Sequence, residues 1–159
     1  MQVLVSALPY FCYAAFSTVR FPPSYAWANN SQCVIMAEFT LTTEKDQDLT
    51  IVEFTGAVTG DTIVNALKRF YDSTITTNAL WDFSACDVNA LSYEDMLQLI
   101  ETTKAYAHRR PNGKSAFVGT GDLAYGLGRM YSTMTAFSAH PIKSAIFKNR
   151  DDAMAWLKR

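Results

Sequence analysis

Residues 49–71, LTIVEFTGAVTGDTIVNALKRFY, hold one strand–turn–helix unit. Leu49–Phe54 is rich in β-branched residues and reads as a strand. The next six residues, TGAVTG, read as a turn region. Ile63, Ala66, Leu67, Phe70 and Tyr71 then recur at helical spacing and give one apolar face. Asp61 or Thr62 stands where an N-cap belongs, and the helix is expected to end near Ser73 or Thr74.

Outward from this stretch the same unit recurs. Ala79–Phe83 (ALWDF) reads as a short buried strand and Ser84–Ala90 as a loop. Ser92 precedes Asp95 by three, close to a capping box with Asp in place of Glu. Met96, Leu97, Leu99, Ile100, Thr103 and Ala107 form the apolar stripe of a long helix from Tyr93 to Arg109. His108, Arg109 and Arg110 sit in its last turn, where positive charge is favourable, and Pro111-Asn112-Gly113 stops it. Ser115–Val118 is a third strand, closed by Gly119-Thr120-Gly121. Leu123, Leu127, Met130, Tyr131, Met134 and Phe137 mark a third helix, with Asp122 as its cap. Gly126 and Gly128 cost that helix roughly 1 kcal/mol each relative to Ala, which implies close packing against a neighbour or, alternatively, flexibility. Ile142–Phe147 is a fourth strand, and Asn149 caps a last helix carrying Ala153, Met154, Trp156 and Leu157. The segment Glu38–Lys45 adds one antiparallel edge strand. Repeated strand–helix units favour parallel pairing under covering helices, so the expected class is α/β.

Composition marks where this domain begins. Residues 1–35 contain one Arg and no Asp, Glu, Lys or His, whereas residues 36–159 carry all fifteen acids and thirteen of the fourteen basic residues. The expected division is a hydrophobic extension over 1–35, outside the fold, and an α/β domain over 36–159. Three readings of the extension stay open: an upstream stretch of a chain whose start is Met36 rather than Met1, a loosely docked arm, or a targeting or membrane-attached segment. The expected location is cytoplasmic, with membrane association or export through 1–35 as the alternative. A net charge of −1 gives no field for nucleic acid. Cys12, Cys33 and Cys86 make neither a disulfide framework nor a zinc knuckle, and Cys86 reads as a small buried hydrophobe.

Signals for chemistry are weak. The glycines near Gly119 match neither dinucleotide nor P-loop patterns, and no nucleophile elbow occurs. No cofactor or metal set is expected. Asp82 and Asp87 flank the end of the second strand, a favoured place for sites in α/β folds, and are equally expected as loop-solvating carboxylates. Arg109, Arg110 and Lys114 form a local basic patch. The aromatic residues are numerous enough to build the core. Those on the third helix, Tyr125 and Phe137 with Met130 and Met134, offer either core packing or an adaptable apolar groove.

The stretches TIVEFTGAVTGDTI, LWDFSACDVNALSYEDM, GKSAFVGTGDLAYGLGRMY and IKSAIFKNRDDAMAWL together resemble the SpoIIAA-like branch of the STAS superfamily. The resemblance runs from about Leu41 to Lys158. It implies a four- to five-stranded mixed sheet with about four helices, chiefly on one side. It also implies a regulatory serine in a D-S-[ST]-G segment at a helix start, phosphorylated by a partner kinase in anti-sigma-factor antagonists. This chain has Val88-Asn89-Ala90-Leu91-Ser92-Tyr93 there and no DSSG, so Ser92 is the nearest positional equivalent. The first functional reading is therefore a non-enzymatic interaction module with a protein partner or a second copy of itself, using the surface around Asp82, Asp87 and Ser92. The second is a carrier or sensor of a small apolar ligand or lipid, using Tyr125, Met130, Met134 and Phe137. The third is a small hydrolase or transferase.

Overall fold

The five strands lie side by side in the order in which the chain makes them. The computed structural model describes residues 38–137 and 140–159, so the expected extension over 1–35 and the break at Met36 lie outside the described residues. β1 (Glu38–Glu44) pairs antiparallel with β2 (Leu49–Ala57) through a tight turn that Asp48 closes at φ 48°. Then follow α1 (Gly60–Asp72), β3 (Asn78–Asp87), α2 (Tyr93–Tyr106), β4 (Lys114–Val118), α3 (Asp122–Phe137), β5 (Lys143–Phe147) and α4 (Arg150–Leu157). β2 to β5 are parallel neighbours. Right-handed crossovers between strands laid down in one direction put every connecting helix on the same face. α1, α2 and α3 share that face accordingly, and α4, which follows β5, folds back over the other.

Strand alternation feeds both layers. Val52, Phe54, Ala79 and Trp81 join Leu67, Phe70, Tyr71, Leu99 and Tyr131 in the larger core under α1–α3. Leu49, Ile51, Leu80, Ala116 and Val118 meet Ala153 and Leu157 of α4 in the smaller one. Phe83, Phe54, Trp81 and Phe117 form a row of stacked rings along the first face.

Several boundaries differ from the sequence reading. Thr55–Ala57 and Ser84–Asp87, expected as turn and loop, extend β2 and β3 as a pair beyond a register shift between Glu53 and Thr55. Each extension satisfies the other's backbone, which a strand read in isolation does not reveal. Gly56 supplies the φ of 75° that this irregular stretch needs. The N-cap of α1 is Thr59, whose Oγ1 accepts from the Thr62 amide at 3.3 Å, and Asp61 lies in the first turn instead. Asp122 likewise is the first helical residue of α3 rather than its cap. Gly128 packs against Ile146 of β5, while Gly126 faces open space.

Arg110 is the largest departure. Expected in a basic surface patch, it is 3% exposed. Its Nε donates to Thr76 O at 3.1 Å, its Nη1 to Ser115 Oγ at 3.2 Å, and its Nη2 to Thr77 O and Lys114 O, both at 2.7 Å. The guanidinium also lies 5.0 Å from the Phe70 ring centroid. One side chain thus ties the approach to β3, the start of β4 and the end of α1. Arg110→Met should cost about 3–5 kcal/mol, because buried carbonyls lose their donors. Urea denaturation followed by circular dichroism measures it, and a cost within 1 kcal/mol of zero contradicts this role.

Candidate functional site

All three connecting helices begin at the C-terminal edge of the parallel strands. The first turn of α2 is held there by a full capping box. Ser92 Oγ accepts from the Asp95 amide at 3.1 Å and donates to Asp95 Oδ2 at 2.9 Å, and the Ser92 amide donates to the same oxygen at 2.8 Å. Gly60 lets α1 start against this turn, since a Cβ at Gly60 would overlap the Asp95 carboxylate. Ser92 itself is exposed. Beside it stand Tyr93 and Leu97 of α2, and Leu123 begins α3 at the same end of the sheet; all three are large apolar residues left in water.

Asp82 and Asp87 are engaged separately. Asp82 is buried on the α4 face, where Oδ1 accepts from the Ser84 amide at 2.9 Å and Ser84 Oγ at 2.5 Å. Arg150 reaches Asp82 at 3.6 Å and Glu53, its neighbour on β2, at 2.6 Å, which pins the start of α4 to the sheet. Asp87 is exposed and accepts from the Asn89 amide at 2.8 Å, shaping the turn after β3. Cys86 lies between them. Burial first, then the two carboxylates, push its thiol up to about 11, so it carries little thiolate at neutral pH.

A cavity of about 70 Å³ lies between the sheet and the three helices. Its walls are apolar, with Leu67, Trp81, Phe83, Met96, Leu99 and Leu127 among them. Half-exposed Leu91, Ala124 and Leu127 line it toward the C-terminal edge. Its other end is polar, bounded by Tyr71, Thr103, Arg110, Ser115 and Tyr131. Tyr131 Oη donates to Thr103 Oγ1 at 3.0 Å, and Thr103 passes the chain on to Leu99 O at 2.8 Å. Burial pushes the Tyr131 hydroxyl up to about 12. The Tyr71 hydroxyl is buried beside the Arg110 guanidinium, and its proton meets no acceptor. Burial raises its pKa, and Arg110, through its charge and a side-chain hydrogen bond, opposes that rise together with the charge of Arg109.

The four residues expected to form the apolar groove sit elsewhere. Tyr125 lies under the Lys148 ammonium, 5.2 Å from the ring centroid. Met130 and Met134 pack against the larger core. Phe137 ends α3 at 87% exposure. Ala124, Leu127, Gly128 and Tyr131 line the cavity from α3 instead. The physical reason is plain: a search for large side chains finds those that fill space, whereas space remains where Ala124 and Gly128 are small. The polar end was missed for a related reason, because Tyr71, Arg110 and Ser115 are far apart in sequence.

No protein-family profile and no curated protein matches this chain. Solved structures similar to it include the following two. An anti-sigma factor antagonist from Mycobacterium paratuberculosis is 16% identical over 78% of this chain and 96% of its own, with a TM-score of 0.50. An uncharacterized protein of the DUF3478 family with a SpoIIAA-like fold, from Shewanella loihica PV-4, is 18% identical over 76% and 93%, with a TM-score of 0.49. The likeness to the antagonist shows the fold alone, a five-stranded mixed sheet with four helices among the described residues.

Two outcomes follow from the local chemistry. Ser92→Ala should lose about 1 kcal/mol in urea denaturation, the usual cost of a lost N-cap. His140 accepts from the Ile142 amide through Nδ1 at 3.2 Å, while its Nε2 is buried without a partner. Burial, with Lys104 and Arg110 nearby, lowers its pKa below 6.5. The unfolded chain therefore takes up this proton first, and the stability linked to neutral His140 is complete above pH 6.5 and falls as pH drops below it. The stability of His140→Gln, measured by denaturation from pH 8 to 5, should decline less steeply below pH 6.5 than that of the parent.

Proposed function

We propose that this chain is a regulatory protein-interaction module of STAS type that docks through the exposed end of α2 and α3. The observation that carries this reading is the set of solvent-facing apolar side chains, Tyr93, Leu97 and Leu123, beside the capped Ser92. The fold shared with an anti-sigma factor antagonist supports the same role. Ser92 is the control point of this surface. A phosphate there would meet the helix N-terminus favourably, yet it would also meet the Asp95 carboxylate that now holds the hydroxyl. Modification would therefore exchange the capping box for repulsion and open the first turn of α2. A protein partner fits this surface, and a second copy of the chain is the alternative. The cavity beneath supports a second reading, a carrier or sensor of a small apolar ligand.

Site-specific photocrosslinking in the producing cells tests the docking surface. A photoreactive residue at position 93, 97 or 123 should give one discrete adduct, lost on adding Leu97→Glu. The same group at Asp151, exposed on α4, should give none. An adduct of twice the chain mass identifies self-association, and equal labelling from position 151 rejects the assigned face.

A further inference from the structure

We propose that the cavity is a binding site for a short aliphatic monocarboxylate, its carboxylate held between Tyr71 and Arg110 and its chain directed toward Leu91 and Leu127. This deepens the second reading above and rests on it; the docking surface is independent of it.

Two observations at the closed end point to an anion. Arg110 is buried, and among the described residues no carboxylate contacts its guanidinium: every hydrogen-bond acceptor it has is a carbonyl or a hydroxyl. Asp48 acts on it only at longer range, and its Oδ1 is committed to the Thr77 amide at 2.9 Å. A guanidinium has five N–H donors. Four go to these acceptors, and the guanidinium also meets the Tyr71 hydroxyl, so its charge is turned toward the cavity wall without an anion beside it. The second observation is the Tyr71 hydroxyl, which is fully buried on the cavity wall with no acceptor for its proton. A buried O–H without an acceptor is unfavourable, so the site favours a ligand that supplies one. A carboxylate would accept the Tyr71 O–H, and its charge would balance the arginine in a site that excludes water.

The walls and the volume set the rest of the molecule. Beyond the polar end the lining is aliphatic and aromatic, so the remainder of the ligand is apolar. About 70 Å³ is roughly half of the ~150 Å³ known to hold benzene, which limits the enclosed part to a few carbons. A longer chain would have to emerge past Leu91 and Leu127.

Butyrate and hexanoate are the probes, with 1-butanol and 1-hexanol as neutral controls. Calorimetric titration at pH 7, with thermal shift alongside, should show each acid binding at least tenfold more tightly than its alcohol. Tyr71→Phe removes only the hydroxyl, so it should fold normally, weaken acid binding about fivefold and leave alcohol binding unchanged. Leu127→Trp, which fills the space, should abolish both. Equal affinity for acid and alcohol, or an unchanged acid affinity in Tyr71→Phe, overturns the carboxylate assignment while leaving a general apolar pocket. No saturable binding of any probe overturns the assignment and the second reading together.

Discussion

A charged side chain placed inside a small core has to be matched atom by atom, and the guanidinium of Arg110 sets that constraint here. Its four donated hydrogen bonds, three to carbonyls and one to Ser115 Oγ, fix the N-terminal ends of β3 and β4, and its flat face rests on Phe70. Burying the charge is costly, and among the described residues that cost is offset by oriented carbonyl and hydroxyl dipoles rather than by a contacting carboxylate. The edge of the sheet, the end of α1 and the turn after α2 are therefore positioned by one residue. The polar end of the cavity is a by-product of the same arrangement.

The opposite end of the sheet is organised by topology. Open α/β sheets usually offer a crevice where the strand order reverses. β2 to β5 run in one direction without reversal, so no such crevice opens between the strands. Space is left between the helices instead, where α3 presents Ala124 and Gly128 toward the sheet. The same rule brings the first turns of α2 and α3 to one end. The docking surface and the half-exposed wall of the cavity consequently lie close together, one outside and one inside the same pair of helices.

Much of this was legible in the sequence. β-branched or apolar runs located the five described strands and a 3.6 period the four described helices, because each signal is a local property of a buried face. Ser92 with Asp95 and Asn149 with Asp152 announced their helix starts correctly, since a cap spans only four residues. The failures share a cause. Thr55–Ala57 is a strand only because Ala85–Asp87 lies beside it. Arg110 looks like the cationic end of a helix until the carbonyls of Thr76 and Thr77, more than thirty residues away, fold against it. The cavity is defined by what is small, and no periodicity records missing volume.

The chain-ordered sheet also has a history. Each parallel strand joins the one made a single crossover earlier, so pairings are between near neighbours in sequence and a nascent chain can add them one at a time. The α4 side is the exception. Ile51, Leu80, Ala116 and Val118 are laid down long before the last helix that shields them. Until α4 leaves the ribosome, those residues lack the helix that covers them, and the growing chain carries an apolar sheet face open to aggregation.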